Sequence, residues 1–203
     1  MQGNEEQGRD EVKAGRARLR DIGQLGNWAG TAMIEAELEL GAGQPEAAAA
    51  VLSESYEFMS RMAETGYLAT IVDYRALAAL ELGRDDEAMA FADEVERIAQ
   101  PEDFEPHVRQ ACVRARVLAR RGDHDAAATV IQAAVARAAE TDYLTLRTYA
   151  AISLAEVERL AGRTEGERSA LEEALRICEQ KGDLLTAKRV REQLGELSNV
   201  APP

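Results

Sequence analysis

Five arginines crowd one short stretch of this chain. Between His107 and Gly122 stand Arg109, Arg114, Arg116, Arg120 and Arg121, with no acid among them, in a protein of formal net charge −13. Arg109, Arg116 and Arg120 are seven and four residues apart, which places them on one face of a helix. A planar guanidinium fork matches a carboxylate or a phosphate. Such a face is a candidate for capturing an acidic peptide segment or an anionic ligand, with Asp73, Tyr74 and Tyr149 as neighbouring groove positions. The competing reading is structural: ion pairs between repeats, from these arginines to Asp73 and Glu156, or a solvated face.

Catalytic chemistry has fewer candidates. The phosphate-binding pattern G-x-x-x-x-G-K-[ST] is absent, and Lys181–Gly182 reads as a helix end. His107 and His124 fall on separate expected helices, and neither belongs to an H-E-x-x-H motif. Asp123-His124-Asp125 has metal-ligand residue types. However, Asp85-Asp86-Glu87 holds the equivalent place one repeat earlier, so both read as first helical turns whose carboxylates suit the helix dipole. Arg109, Arg114 and Arg116 near Cys112 would favour its thiolate, whereas a half-buried apolar role asks for no such chemistry. Cys178 reads as packing, and the two cysteines form neither a disulfide framework nor a zinc spacing. Trp28 reads as a core wedge or a ligand-facing aromatic. Glu35, Glu37 and Glu39 alternate with period two, so on a helix the three cannot all share one face, and they do not read as a carboxylate pair for acid–base work. The expectation is a protein that is not an enzyme, with no catalytic residue, no metal and no cofactor.

The elements that position these residues repeat. Gly43, Gly83, Gly122 and Gly162 are separated by 40, 39 and 40 residues, and each follows an apolar helical stretch and precedes a polar turn. Seven residues before each glycine stands an alanine: Ala36, Ala76, Ala115 and Ala155. Five residues after it stand Ala48, Ala88 and Ala127, and then Glu167, which breaks the rule. Twelve after it stand Ser55, Val95, Ala134 and Ala174. Small residues at fixed offsets in paired helices let the helix axes approach closely. Helices are expected at about 5–22, 27–41, 45–64, 67–82, 85–99, 104–121, 124–140, 143–161, 164–181 and 184–197, with Pro101 and Pro106 bracketing a break between repeats.

Composition agrees. The 203 residues are rich in alanine and leucine, with 4% aromatics and only 5 Pro, which argues for helices and against a β-sandwich or barrel. The acidic surface repels phosphate backbones and anionic headgroups, so nucleic acid and membrane are not expected as direct partners. No apolar run is long enough to span a bilayer, the acidic start from Met1 to Asp10 is no signal sequence, and a reducing cytoplasm is the expected location.

The fold class that follows is all-α: a right-handed solenoid, or αα superhelix, of antiparallel helix pairs. Residues 1–26 read as a partial N-terminal repeat helix, 27–197 as the array and 198–203 as a disordered tail. The small–Gly–small unit resembles the tetratricopeptide (TPR) class, with repeats longer than its usual 34 residues. The stretch MAETGYLATIVDYRALAALELGRDDEAMAFADEVERIAQPEDFEPHVRQACVRARVLARRGDHDAAA is similar to the C-terminal repeat region of bacterial signalling proteins that carry a class III adenylate/guanylate cyclase domain and an AAA-type ATPase module. The ending AISLAEVERLAGRTEGERSALEEALRICEQKGDLLTAKRVREQLGEL is similar too, notably Glu179 to Gly182 and Ala187 to Leu194. Related arrays terminate MalT-like transcriptional activators. The resemblance implies a TPR-like scaffold for protein–protein interaction or regulatory sensing, whose partner is a protein or acidic peptide segment, domains of its own parent included. The alternative it implies is a small-ligand effector domain of a MalT-like regulator. A start in mid-array points to a truncated member or a C-terminal piece, and an apolar terminal face adds homo-oligomerisation to the expectations.

Overall fold

A computed structural model describes residues 4–62, 67–100 and 102–199. Every element among them is a helix: α1 (Glu5–Asp21), α2 (Leu25–Gly30), α3 (Ala32–Gly41), α4 (Pro45–Met62), α5 (Leu68–Glu81), α6 (Asp85–Ile98), α7 (Phe104–Arg120), α8 (His124–Ala139), α9 (Leu144–Leu160), α10 (Thr164–Lys181) and α11 (Leu184–Asn199). The chain divides into two compact units, Asn4–Gln110 and the part from Ala111 onward, with the boundary inside α7. In the first unit α3 packs on α4, α4 on α5 and α5 on α6; in the second α8 packs on α9, α9 on α10 and α10 on α11. The all-α class and its consecutive helix pairs are therefore as the sequence predicts.

The glycine period has a backbone cause. Gly43, Gly83, Gly122 and Gly162 all have positive φ, from 70° to 84°, which costs a glycine nothing and an L-residue strain. At each one the next residue's N–H reaches five residues back, as in Arg84 N–H to the Ala79 carbonyl at 2.9 Å, closing the helix end with a Schellman turn. The in-phase small residues are all buried. Ala36, Ala76, Ala48, Ala88, Ala127, Ser55, Val95 and Ala174 have no exposure at all.

The structure differs from the expected elements in two places. The helix expected over 27–41 is broken at Thr31, whose hydroxyl donates to the carbonyls of Asn27 at 2.9 Å and Trp28 at 3.1 Å. Such back-bonding competes with the helix ladder and bends it. Pro106 lies in the first turn of α7, inside the helix expected over 104–121, where a missing N–H costs no hydrogen bond. Ser198 and Asn199 belong to α11, not to a tail. Residues 1–3, the helix end expected at 63–64, Pro101 and residues 200–203 of the expected tail lie outside the described residues.

Trp28 settles as a core residue. It is 6% exposed, meets Phe58 edge-on with centroids 5.7 Å apart, and is covered by the Arg16 and Arg20 guanidinium groups at 5.4 and 5.1 Å. Cys112 is wholly buried rather than half-buried, and Cys178 is wholly buried too, as a packing residue would be. Burial pushes the Cys178 thiol up.

Candidate functional site

Arg109, Arg116 and Arg120 of α7 are engaged in ion pairs. Within the first unit, Arg109 is 4% exposed and its Nε lies 3.5 Å from Asp73 and 2.9 Å from Glu105. The same guanidinium reaches the Tyr74 hydroxyl at 3.3 Å and stands 4.8 Å from the Tyr74 ring. Asp73 is 2% exposed and its Oδ1 accepts no hydrogen bond among the described residues, so burial pushes its carboxyl well above the usual range despite the opposing pull of Arg109. Burial also pushes the Tyr74 phenol up.

Within the second unit, Arg116 Nε lies 2.5 Å and Arg120 Nη2 3.2 Å from the Glu156 carboxylate on α9. Arg116 is 7% exposed, while Arg120 is only partly buried. Arg116 and Glu156 hold the same place in successive repeats, six residues before Gly122 and Gly162. Tyr149 is half-buried on α9. Thus the structure brings Arg109 to Asp73 and Tyr74, and Arg116 and Arg120 to Glu156. These are the pairs named by the structural reading of the same residues.

Sequence reasoning missed a second arginine site. Arg75 on α5 lies between two rings, with Cζ 4.2 Å from the centroid of Tyr56 on α4 and 4.2 Å from that of Phe91 on α6. The Tyr56 hydroxyl donates to Glu94 at 2.7 Å, which fixes one wall and raises the phenol's pKa. Among the described residues the Arg75 guanidinium makes neither a hydrogen bond nor an ion pair, so its N–H fork is uncommitted. It borders a hollow of about 60 Å³ that Ser53, Arg84 and Glu87 also line. The signal was faint: Tyr56, Arg75 and Phe91 are far apart in sequence, and no other repeat carries this trio at the same offsets from its glycine.

Nothing in the described residues assembles a metal centre: no three His, Cys, Asp or Glu side chains come together as a metal would need. Asp123 instead caps α8, accepting from the Ala126 N–H at 3.3 Å. Asp85, Asp86 and Glu87 occupy the first turn of α6. No described helix is long and apolar enough to cross a membrane.

Comparison with known proteins adds the fold. No family model and no curated protein matches the chain. The crystal structure of BtubC (BKLC) from P. vanneervenii is similar, with a TM-score of 0.58 and 13% sequence identity over 98% of this chain and 94% of that one. The likeness extends to the all-α helical repeat fold.

Proposed function

We propose that this chain is a non-catalytic interaction scaffold that captures a short acidic segment of a protein partner. The observation that carries the reading is the clamped, uncommitted guanidinium of Arg75. Two rings have already fixed its rotamer, so capturing a carboxylate costs little further side-chain entropy. A stacked Arg also presents the planar fork that pairs with a carboxylate bidentately. Ser53 and the basic Arg84 beside it favour the same ligand chemistry, although Arg84 shares its charge with Glu87 at 3.6 Å. The α7 arginines are less suited to this task, because capture there would compete with Asp73 and Glu156.

The chain's net charge of −13 limits the ligand. Repulsion beyond the Debye length of about 8 Å is screened at physiological salt, so a short acidic motif is admitted where a long polyanion is repelled. The resemblance to the repeat regions of cyclase and ATPase signalling proteins supports a partner from the same polypeptide or signalling complex, with capture regulating the domains attached to it.

An array of acidic twelve-residue peptides, with neutral and basic controls, tests the proposal on the full chain. Acidic members should bind, and Arg75→Met should weaken them at least tenfold while leaving the circular dichroism spectrum and melting temperature in place. Equal binding of neutral peptides, or binding indifferent to Arg75→Met, would end this reading.

A further inference from the structure

We infer that the cleft between α9, α10 and α11 of the second unit is a binding site for a small organic cation, an amine or guanidine carried on a short apolar chain. This goes beyond the scaffold reading and does not depend on it. The cleft encloses about 550 Å³, within the range of small-molecule sites. Ile152, Leu171 and Leu197 supply apolar walls, and Glu167 stands among them.

Glu167 is the decisive residue. It is 8% exposed, and among the described residues its carboxylate has no hydrogen-bond or ion-pair partner. Arg159, exposed and also lining the cleft, offsets its charge without coming to ion-pair distance, and burial still pushes the carboxyl up. The carboxylate is partly desolvated by the apolar walls and opens only into the cleft, and a ligand that brings a cation offsets the cost of that desolvation. Three repeats hold alanine at the corresponding position with zero exposure, namely Ala48, Ala88 and Ala127. The charge is therefore particular to this cleft and is not demanded by the repeat.

The ligand class follows from the lining. Glu156, also in the lining, is already paired with Arg116 and Arg120. Glu167 is left to hold one ammonium or guanidinium group, and the exposed Glu196 adds a second negative charge to the lining. A metal ion would need several hard ligands, and no such cluster exists among the described residues. The leucine and isoleucine walls fit the hydrocarbon that carries the cation.

Titrating the full chain with three probes of equal length tests this by amide NMR: n-hexylamine, n-hexanol and hexanoate. Hexylamine should give saturable shifts confined to residues around 152–159, 167–171 and 193–197. Hexanol should bind at least tenfold more weakly, and hexanoate should not saturate. Glu167→Gln, which keeps the shape and loses the charge, should weaken hexylamine at least tenfold. Its melting curve and amide spectrum, recorded without ligand, report that the variant is folded. The inference is overturned if hexylamine and hexanol bind alike, if hexylamine does not saturate, or if a folded Glu167→Gln binds it as well as the parent. Acidic peptides and Arg75 play no part in this titration, so its failure leaves the first proposal standing.

Discussion

Arg109 should be a stability residue whose importance depends on pH. Arg109→Met keeps much of the side-chain volume and removes the charge. It deprives Asp73 of the nearest cation at 3.5 Å, takes a 2.9 Å contact from Glu105, and takes a 3.3 Å donor from the buried Tyr74 hydroxyl. Breaking a buried pair by removing one member costs about 3–5 kcal/mol. Glu105, 29% exposed, can turn to water, so its share is small. We expect a loss of about 3–4 kcal/mol at pH 8, a large part of the roughly 5–15 kcal/mol that holds a typical domain.

The pH sign is fixed by Asp73. Its folded-state pKa is raised well above the ordinary value, so its ionisation disfavours the fold, and stability falls as pH rises through that pKa. Without Arg109 the penalty grows. The cost of Arg109→Met should therefore be greatest at alkaline pH and shrink to about 1–2 kcal/mol as the pH falls below the raised folded-state pKa of Asp73, where the remaining loss is hydrogen bonds and packing. Trp28 is the only tryptophan and lies in the same unit, so urea unfolding followed by its fluorescence reports the right part of the molecule. Asp73→Asn in the Arg109→Met background should recover at least half the loss, the signature of direct coupling. A cost below about 1 kcal/mol at pH 8, or one that does not change with pH, refutes this account of the pair.

Two further outcomes follow from the repeat geometry. Glu167→Ala installs the residue of the other three repeats and should stabilise the chain slightly, by about 0.5–1 kcal/mol at pH 8, since a partly desolvated carboxylate without a partner is removed. Because the Glu167 pKa is raised, the gain should vanish in urea melts taken below the ordinary carboxylate range, where the acid is neutral folded or unfolded. Gly122→Ala places a Cβ at φ 84° and should cost about 1–2 kcal/mol in thermal unfolding, with Gly122→Asn costing less because asparagine tolerates that region.

The fold was legible because glycine and alanine do steric work that leaves a periodic trace. A left-handed helix end needs glycine, and a close helix crossing needs a small residue, wherever the chain lies in the array. Thr31 was not legible, because a threonine inside an apolar helical stretch bends the helix only when its hydroxyl turns back on the carbonyls. Among the described residues the positive-φ glycines also include Gly23 and Gly182, which stand half a period outside the four in-phase glycines and so escaped the register test. Of the chemistry, the Arg109–Asp73 and Arg116–Glu156 alternatives could be written down from offsets alone. The Arg75 clamp could not, because it depends on three helices converging on one guanidinium.

An internal register does for one chain part of what an alignment does for many, and it separates two kinds of departure. Arg116 departs from the glutamate or leucine of its equivalents Glu37, Leu77 and Glu156, but Glu156 in the next repeat accepts its charge. That departure is compensated, and packing explains it. Glu167 departs from alanine and finds no partner within the described residues, while it lines an open cleft. Arg75 is held by rings that leave its donors unused. A charge left without its counterpart at the wall of a cleft has a free-energy cost that a ligand can relieve. Those two residues are accordingly where binding should be sought, ahead of the denser and more conspicuous arginines of α7.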